Sequence, residues 1–89
     1  MKDLKIEVAE IRKRCGAGHR VGDCFYVRGQ GRIEIPQGKT MCMFALQSLI
    51  PFLIGKQREN ELPGDDWIRE TTDLCCPDPD GILFRVTAV

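Results

Sequence analysis

The chain has 89 residues, the length of one small domain, so we expect residues 1–89 to share a single hydrophobic core. Hydrophobic residues make up 43% of the chain and charged residues 29%, values that exclude the composition of intrinsically disordered proteins. Thirteen basic and thirteen acidic residues leave no net charge, which argues against a general nucleic-acid partner because phosphate neutralisation needs a positive field.

The first predicted element is an N-terminal strand. Apolar and charged residues alternate from about Leu4 to Arg12, which is the period of a strand with one buried face. The alternation slips near Ala9. Three glycines crowd the following residues 15–23, so we expect a tight loop there.

A second strand is predicted over Cys24–Arg28, where the alternation resumes. The run Gly29-Gln30-Gly31 is typical of a hairpin turn. Residues Arg32–Ile35 would then lie beside the second strand. These segments predict a small antiparallel sheet.

A central helix is predicted over Met41–Ile54, with Thr40 as its N-cap because a threonine hydroxyl accepts the free amides of a first helical turn. Pro51 has no amide hydrogen, so it predicts either a kink or a fresh helical start. Gly55 and the polar run Lys56–Glu61 are expected to end the helix.

Two further strands are predicted after a turn-rich connector. Residues Trp67–Thr72 and Leu74–Cys75 form the first of them, with imperfect alternation. Cys76–Gly81 is a strong turn signal, because proline presets the backbone and Asp and Gly favour turn geometry. Residues Ile82–Val89 alternate clearly as the last strand.

The predicted fold class is therefore α+β. We expect a small antiparallel sheet of about four strands with one principal helix packed across it, in the order β-β-α-β-β. The sheet can cover only one side of the helix, whereas Met41–Ile54 is apolar almost all round.

This apolar helix predicts a homodimer. Side chains such as Leu49 and Phe52, if left in water, would each forfeit roughly 1.5–3 kcal/mol of burial free energy. A second copy packed on the central helix would recover that free energy, and two-fold dimers are the commonest assembly. The alternative is that the connector Leu62–Trp67 and the termini cover the helix within one chain.

The charges are distributed unevenly along the chain. Residues 1–40 carry nine basic and five acidic residues, a net charge of +4, whereas residues 41–89 carry four and eight, a net charge of −4. We expect the two halves to attract each other, within one fold or between subunits.

The location of the protein is predicted from what the sequence lacks. Residues Met1–Val8 show no apolar core of a signal peptide, and Met41–Ile54 is shorter than the ~20 residues that a membrane-spanning helix needs. We therefore expect a cytoplasmic protein with no membrane partner. Five cysteines, an odd number, are then expected as free thiols, metal ligands or redox groups.

Cys15 and His19 stand four residues apart in the glycine-rich loop, as Cys-x₃-His. The chain has no Cys-x₂-Cys, which disfavours a knuckle-type zinc finger. Four cations flank this loop. They would either attract an anionic ligand or simply form the solvated end of the strand, and they are Arg12, Lys13, Arg14 and Arg20.

Cys42 is the cysteine best placed for chemistry. If Thr40 is the cap, Cys42 is the second helical residue, where the helix dipole stabilises a thiolate. The alternative is simple packing, since free cysteine is often buried and its neighbours here are apolar. Cys75 and Cys76 are adjacent and point to opposite faces of an extended segment, with Cys76 at the mouth of the turn. For Cys24, packing is favoured.

After an N-terminal strand, four motifs occur in order along nearly the whole chain: Cys15-x-x-Gly18-His19, Val21-Gly22-Asp23-x-Phe25, a cysteine that opens the central helix, and Cys76-Pro77-Asp78-Pro79. Together they resemble an uncharacterised family of short prokaryotic proteins of about this length. The resemblance implies that Cys15, Cys42 and Cys76 form the shared pattern, with His19 as a frequent companion. That family has no established activity, so the resemblance implies a site and not a reaction.

The residues and the resemblance both point to Cys15, His19, Cys42 and Cys76 as candidate metal ligands. Thiolates with an imidazole suit Zn²⁺ or Fe²⁺, and cysteines also hold iron–sulfur clusters. We therefore predict a small domain that binds a metal ion or iron–sulfur cluster in a redox or accessory role. Two alternatives stay open: a thiol-dependent enzyme that uses Cys42 or Cys15 with His19 as its base, and a structural oligomeric module whose cysteines only pack.

Overall fold

A computed structural model describes residues 1–89 and shows one antiparallel sheet with a long helix on one face. The strands are β1 (Leu4–Ile11), β2 (Cys24–Arg28), β3 (Arg32–Glu34), β4 (Asp73–Cys75) and β5 (Ile82–Ala88). The helices are α1 (Met43–Gln57) and α2 (Trp67–Glu70), with a single 3-10 turn at Glu59–Glu61 between them. The α+β class is confirmed, but the sheet has five strands and a second helix interrupts the predicted order.

The strands lie in the order β3-β2-β1-β5-β4. Because β3 and β4 occupy opposite edges, the chain between them must pass across one face of the sheet. Helix α1 lies on this crossing. Neither helix has the length and apolar character that crossing a membrane requires.

Two local predictions in the sheet are confirmed. The pairing of β1 with β5 shifts register between Val8 and Glu10, which leaves Ala9 as the extra residue of a bulge. Strands β2 and β3 form the expected hairpin, in which Gly29 and Gly31 adopt φ angles of 57° and 76°. The fifth strand arises here, because Arg32–Glu34 pairs with β2 as a strand of its own.

The hydrophobic core lies between the sheet and α1. Strands β1, β2 and β5 each turn alternate apolar side chains inward, and α1 contributes one side of its surface. The core residues of the helix are Ala45, Leu49, Phe52 and Leu53. Leu49 and Phe52, named above as side chains that a monomer would expose, are therefore buried, and other apolar residues of α1 face solvent.

Helix α1 begins at Met43 and not at Met41 as predicted. Cys42 has extended backbone angles, φ −63° and ψ 125°, and takes the N-cap position expected for Thr40. Its amide donates to His19 Nε2 at 3.1 Å, and its carbonyl accepts the first helical hydrogen bond, from Leu46. The cap position is thus decided by a contact with a loop 23 residues away.

Pro51 lies inside one continuous helix, so the fresh start considered at this residue does not occur. The helix also passes Gly55 and ends at Gln57, since the last two side chains find partners in the fold. Lys56 is buried against Glu59, and the Gln57 amide donates to the carbonyls of Lys2 and Gly29 at 3.1 and 2.9 Å.

The segment predicted as a strand over Trp67–Thr72 is the short helix α2. Asp66 caps it, with Oδ1 accepting the amide of Ile68 at 2.9 Å. Ile68 also packs against α1 at Gly55, where an added Cβ would lie 2.8 Å from Ile68 Cδ1. The cap and this packing site favour a helical turn over an extended strand.

Ion pairs join the basic and acidic halves within the chain, as the charge distribution predicted. Lys2 meets Glu59 at 2.6 Å, Lys13 meets Asp80 at 3.8 Å, and Arg14 meets Asp78 at 3.9 Å. The last two pairs fasten the segment after β1 to the turn between β4 and β5.

The best-shielded charge cluster surrounds Glu59. Its carboxylate lies 2.6 Å from Lys2 Nζ and 2.6 Å from the buried Lys56 Nζ, which also donates to the carbonyls of Ile68 and Arg69. The hydrogen bonds from Lys2 and Lys56 hold the pKa of the Glu59 carboxyl below its ordinary value of 4.5.

Replacing Glu59 by Gln should weaken the acid dependence of stability. Glu59 stabilises the fold above pH 4.5, and that contribution is lost as the pH falls through the lower pKa of the folded state. Urea unfolding from neutral to acidic pH should therefore show a lower starting stability and a smaller acid loss in Glu59→Gln than in the unsubstituted protein. The control Glu61→Gln changes an exposed carboxylate of the same turn and should keep the original profile. Equal acid losses in Glu59→Gln and the unsubstituted protein would contradict this role.

Candidate functional site

A cleft of about 600 Å³ lies at the N-terminal end of α1. Three segments line it: the loop after β1, the start of α1, and the turn between β4 and β5. Each segment contributes one cysteine to the wall, and these are Cys15, Cys42 and Cys76. We call this feature the cysteine cleft.

Sheet pairing explains why Cys15 and Cys76 line the same cleft. The end of β1 lies beside the start of β5, because these neighbouring strands are antiparallel. Beyond the strands, the amide of Arg12 donates to the carbonyl of Gly81 at 2.9 Å, and that of Cys76 donates to Ile82 at 2.9 Å. Residues 15 and 76 are thus held at the same end of the sheet.

Gly81 makes room for the Cys76 thiol. A Cβ added at Gly81 would lie 3.2 Å from Cys76 Sγ and 3.1 Å from the carbonyl oxygen of Asp78, closer than ordinary van der Waals contact. Because the carbonyl belongs to the backbone of a tight turn, it has little freedom to move aside. A glycine here lets the turn close around the sulfur.

His19 is buried behind the cleft rather than in its wall. Its Nε2 accepts the amide of Cys42, and its Nδ1 lies 3.4 Å from Asp23 Oδ2. This hydrogen-bond pattern assigns the proton to Nδ1 in the neutral ring. The Nε2 lone pair that a metal ion or a catalytic proton would use is therefore engaged by the backbone.

Asp23 completes this arrangement; it belongs to the Val21-Gly22-Asp23-x-Phe25 motif, but the sequence analysis gave it no role in the site. The amide of Arg20 donates to Asp23 Oδ2 at 3.0 Å, and this hydrogen bond, with smaller contributions from His19 and Lys39, holds the pKa of Asp23 below its ordinary value of 3.8. The available signal was the His-x₃-Asp spacing within a glycine-rich loop.

The other two cysteines lie outside the cysteine cleft. Cys24 is half-buried on β2, with Sγ 3.9 Å from the Tyr26 hydroxyl. Cys75 is exposed on β4, with Sγ 3.6 Å from Arg12 Nη2. All five cysteines are free.

The charged groups near the cleft are paired. Arg14 and Asp78 both line it and lie 3.9 Å apart, while Arg12 donates to the carbonyl of Pro79. Three of the cations that flank Cys15, namely Arg12, Lys13 and Arg14, thus contact the turn between β4 and β5. The cleft wall itself is mainly apolar and includes Met43 and Phe44, whose side chains are largely exposed.

The donor set fits a soft metal centre in type, since three thiols line one cleft. The structure contains no group of three or more His, Cys, Asp or Glu side chains placed to hold a metal ion. Metal binding by Cys15, His19, Cys42 and Cys76 thus stays a prediction.

Replacing His19 by Phe should destabilise the protein by about 1–3 kcal/mol, because the Cys42 amide loses its acceptor in a part-buried position. Urea unfolding measures this loss. The control Asp23→Asn keeps Nε2 as the acceptor and should cost less. A His19→Phe variant as stable as the unsubstituted protein would show that this hydrogen bond does not hold the start of α1.

Comparisons of the chain with protein-family models, with curated proteins and with solved structures find no match. The resemblance to short prokaryotic proteins accordingly stays a prediction. Any function for the cysteine cleft must follow from the chemistry of the residues that line it.

Proposed function

We propose that this protein is a small binding domain of the cytoplasm whose cysteine cleft takes a thiophilic metal centre, either Zn²⁺ or iron, or an iron–sulfur cluster, in a redox or accessory role. Cys15, Cys42 and Cys76 are the proposed ligands. One observation carries the proposal: three thiols that are far apart in sequence line the same cleft, while the remaining two cysteines lie elsewhere.

The chemistry of the wall supports a soft metal centre. Thiolates bind zinc, iron and iron–sulfur clusters in preference to hard cations. The volume of about 600 Å³ falls in the range of small-molecule sites and exceeds the space of a single ion. The cleft therefore has room for a cluster or for an ion with an external ligand, and binding requires the three thiols to move closer together than they lie in this structure.

His19, predicted as a fourth ligand, has a different role in this proposal. Ligation through Nε2 would require the ring to release the Cys42 amide, and Nδ1 is turned to Asp23. We therefore assign His19 the role of positioning Cys42 at the cleft. The fourth position of a metal centre is left to a group from outside the chain.

The alternative of a thiol-dependent enzyme has less support. A cysteine nucleophile needs a base within hydrogen-bond reach of its sulfur. Both ring nitrogens of His19 already have partners, and the partner on Cys42 is the backbone amide. The packing alternative has one observation in its favour, because Cys15, Cys42 and Cys76 all contact the hydrophobic core.

The test is metal binding by reduced, anaerobically purified protein. Cobalt titration should give thiolate-to-metal absorption that saturates near one ion per chain, and iron and sulfide analysis of the purified protein should reveal any cluster. Cys15→Ser, Cys42→Ser and Cys76→Ser should each weaken binding at least about tenfold, since even outer-shell changes cost that much. Cys24→Ser and Cys75→Ser are matched controls and should bind as the unsubstituted protein does.

Three outcomes would contradict the proposal. No binding of cobalt, zinc, iron or a cluster, combined with one rapidly alkylated thiol, would favour the enzyme. No binding with five slowly reacting thiols would favour the packing module. Loss of binding in the Cys24 or Cys75 control to the same extent as in the cleft variants would place the site elsewhere.

A further inference from the structure

One side of α1 is uncovered and mainly apolar, with Gln47 and Ser48 as its exposed polar residues. The sheet buries the opposite side of this helix, and the exposed side carries large apolar residues spaced seven and four positions apart. Met43 is 72% exposed, Phe44 64% and Trp67 of α2 62%. We call this surface the outer face, and it consists of Met43, Phe44, Ile50, Ile54 and Trp67.

The chain does not cover the outer face itself. The connector Leu62–Trp67 and the termini were the expected cover in a monomer. Helix α2 instead meets α1 where Ile68 packs on Gly55, and the Trp67 ring lies 5.7 Å from that of Phe52. Trp67 thus extends the outer face instead of burying it. An apolar patch of this kind on a small domain marks an interaction surface.

The charge pattern favours a second copy of the chain as the partner. No charged residue occurs between Met41 and Gly55. In a two-fold dimer each surface meets its own copy, so any charge on it would approach the same charge on the partner. The α1 part of the outer face carries no charge and pairs with itself at no such cost, whereas Trp67 is flanked by charged residues, among them Asp66 and Arg69.

The outer face is continuous with the cysteine cleft. Met43 and Phe44 belong to both, since they follow Cys42 at the start of α1 and line the cleft wall. A molecule seated on Met43 and Phe44 would therefore lie against the wall of the cleft.

We propose that two copies pair through their outer faces and that each copy closes the cysteine cleft of the other. The cleft is then open to solvent in the monomer and shielded in the dimer. The inference rests on the proposed function only for the identity of the metal centre in the cleft. Closure of the cleft limits access to the three thiols whether or not they bind a metal.

Alkylation of each cysteine in metal-free, reduced protein tests this directly. N-ethylmaleimide labelling, read by peptide mass spectrometry, should slow at least about tenfold at Cys15, Cys42 and Cys76 between nanomolar and high-micromolar protein, as mass action fills the dimer. Cys75, exposed and outside the cleft, is the internal control and should react at one rate throughout. Sedimentation equilibrium should show the dimer over the same concentration range.

A substitution remote from the cleft separates closure from local effects. Ile54→Lys lies on the outer face but not in the cleft wall, and it should keep the protein monomeric and the cleft thiols reactive at every concentration. Val21→Lys is the matched control, because Val21 is equally apolar, 64% exposed and on the glycine-rich loop. It should dimerise and protect the thiols as the unsubstituted protein does.

Three results would overturn the inference. A monomer at all concentrations would mean that something other than a second copy covers the outer face. A dimer whose cleft thiols react as fast as those of the monomer would use another surface. If Ile54→Lys and Val21→Lys lose the protection of the cleft thiols from alkylation to the same extent, that protection does not depend on the outer face. Since the protein is metal-free throughout, each result leaves the metal-binding test independent.

Discussion

The hydrogen bond from the Cys42 amide to His19 Nε2 is the contact on which the candidate site depends. It ties the glycine-rich loop to the start of α1 and leaves Cys42 extended as the helix N-cap. Asp23 supports the ring from its other side and keeps Nε2 as an acceptor. His19, which the sequence suggests as a metal ligand, thus positions the Cys42 thiol. The same hydrogen bond fixes the start of α1 and the position of Cys42 in the cleft wall.

The cysteine cleft combines two kinds of support. Backbone pairing beyond β1 and β5 holds Cys15 and Cys76 at one end of the sheet, with the pair formed by Arg14 and Asp78 beside them. Cys42 arrives from a helix that crosses the sheet between its two edges. The helix can bury only one side against the sheet, so its other side stays apolar and open. The site and the outer face are therefore consequences of one packing arrangement.

Patterns among neighbouring residues predicted most of the sheet. They misassigned the segments whose structure depends on contacts with residues distant in the sequence. Alternation located β1, β2 and β5, and its slip at Ala9 marked the bulge, because a strand's period of two appears in adjacent residues. Trp67–Glu70 became a helix through the Asp66 cap and its packing on Gly55. The helix passed Gly55 because Lys56 and Gln57 find partners in other segments. Such partners have no local signature.

For the candidate site, the sequence by itself determined which thiols occupy loop and turn positions and which stretch of chain is too apolar to stay fully exposed. Composition, periodicity and turn residues act over a few positions, so these features can be read directly. Tertiary structure decided that Cys15, Cys42 and Cys76 share a cleft, that Cys75 lies outside it, and that His19 faces an amide. These outcomes depend on which strands pair and on which side of α1 meets the sheet, and both are settled only when the whole core packs at once.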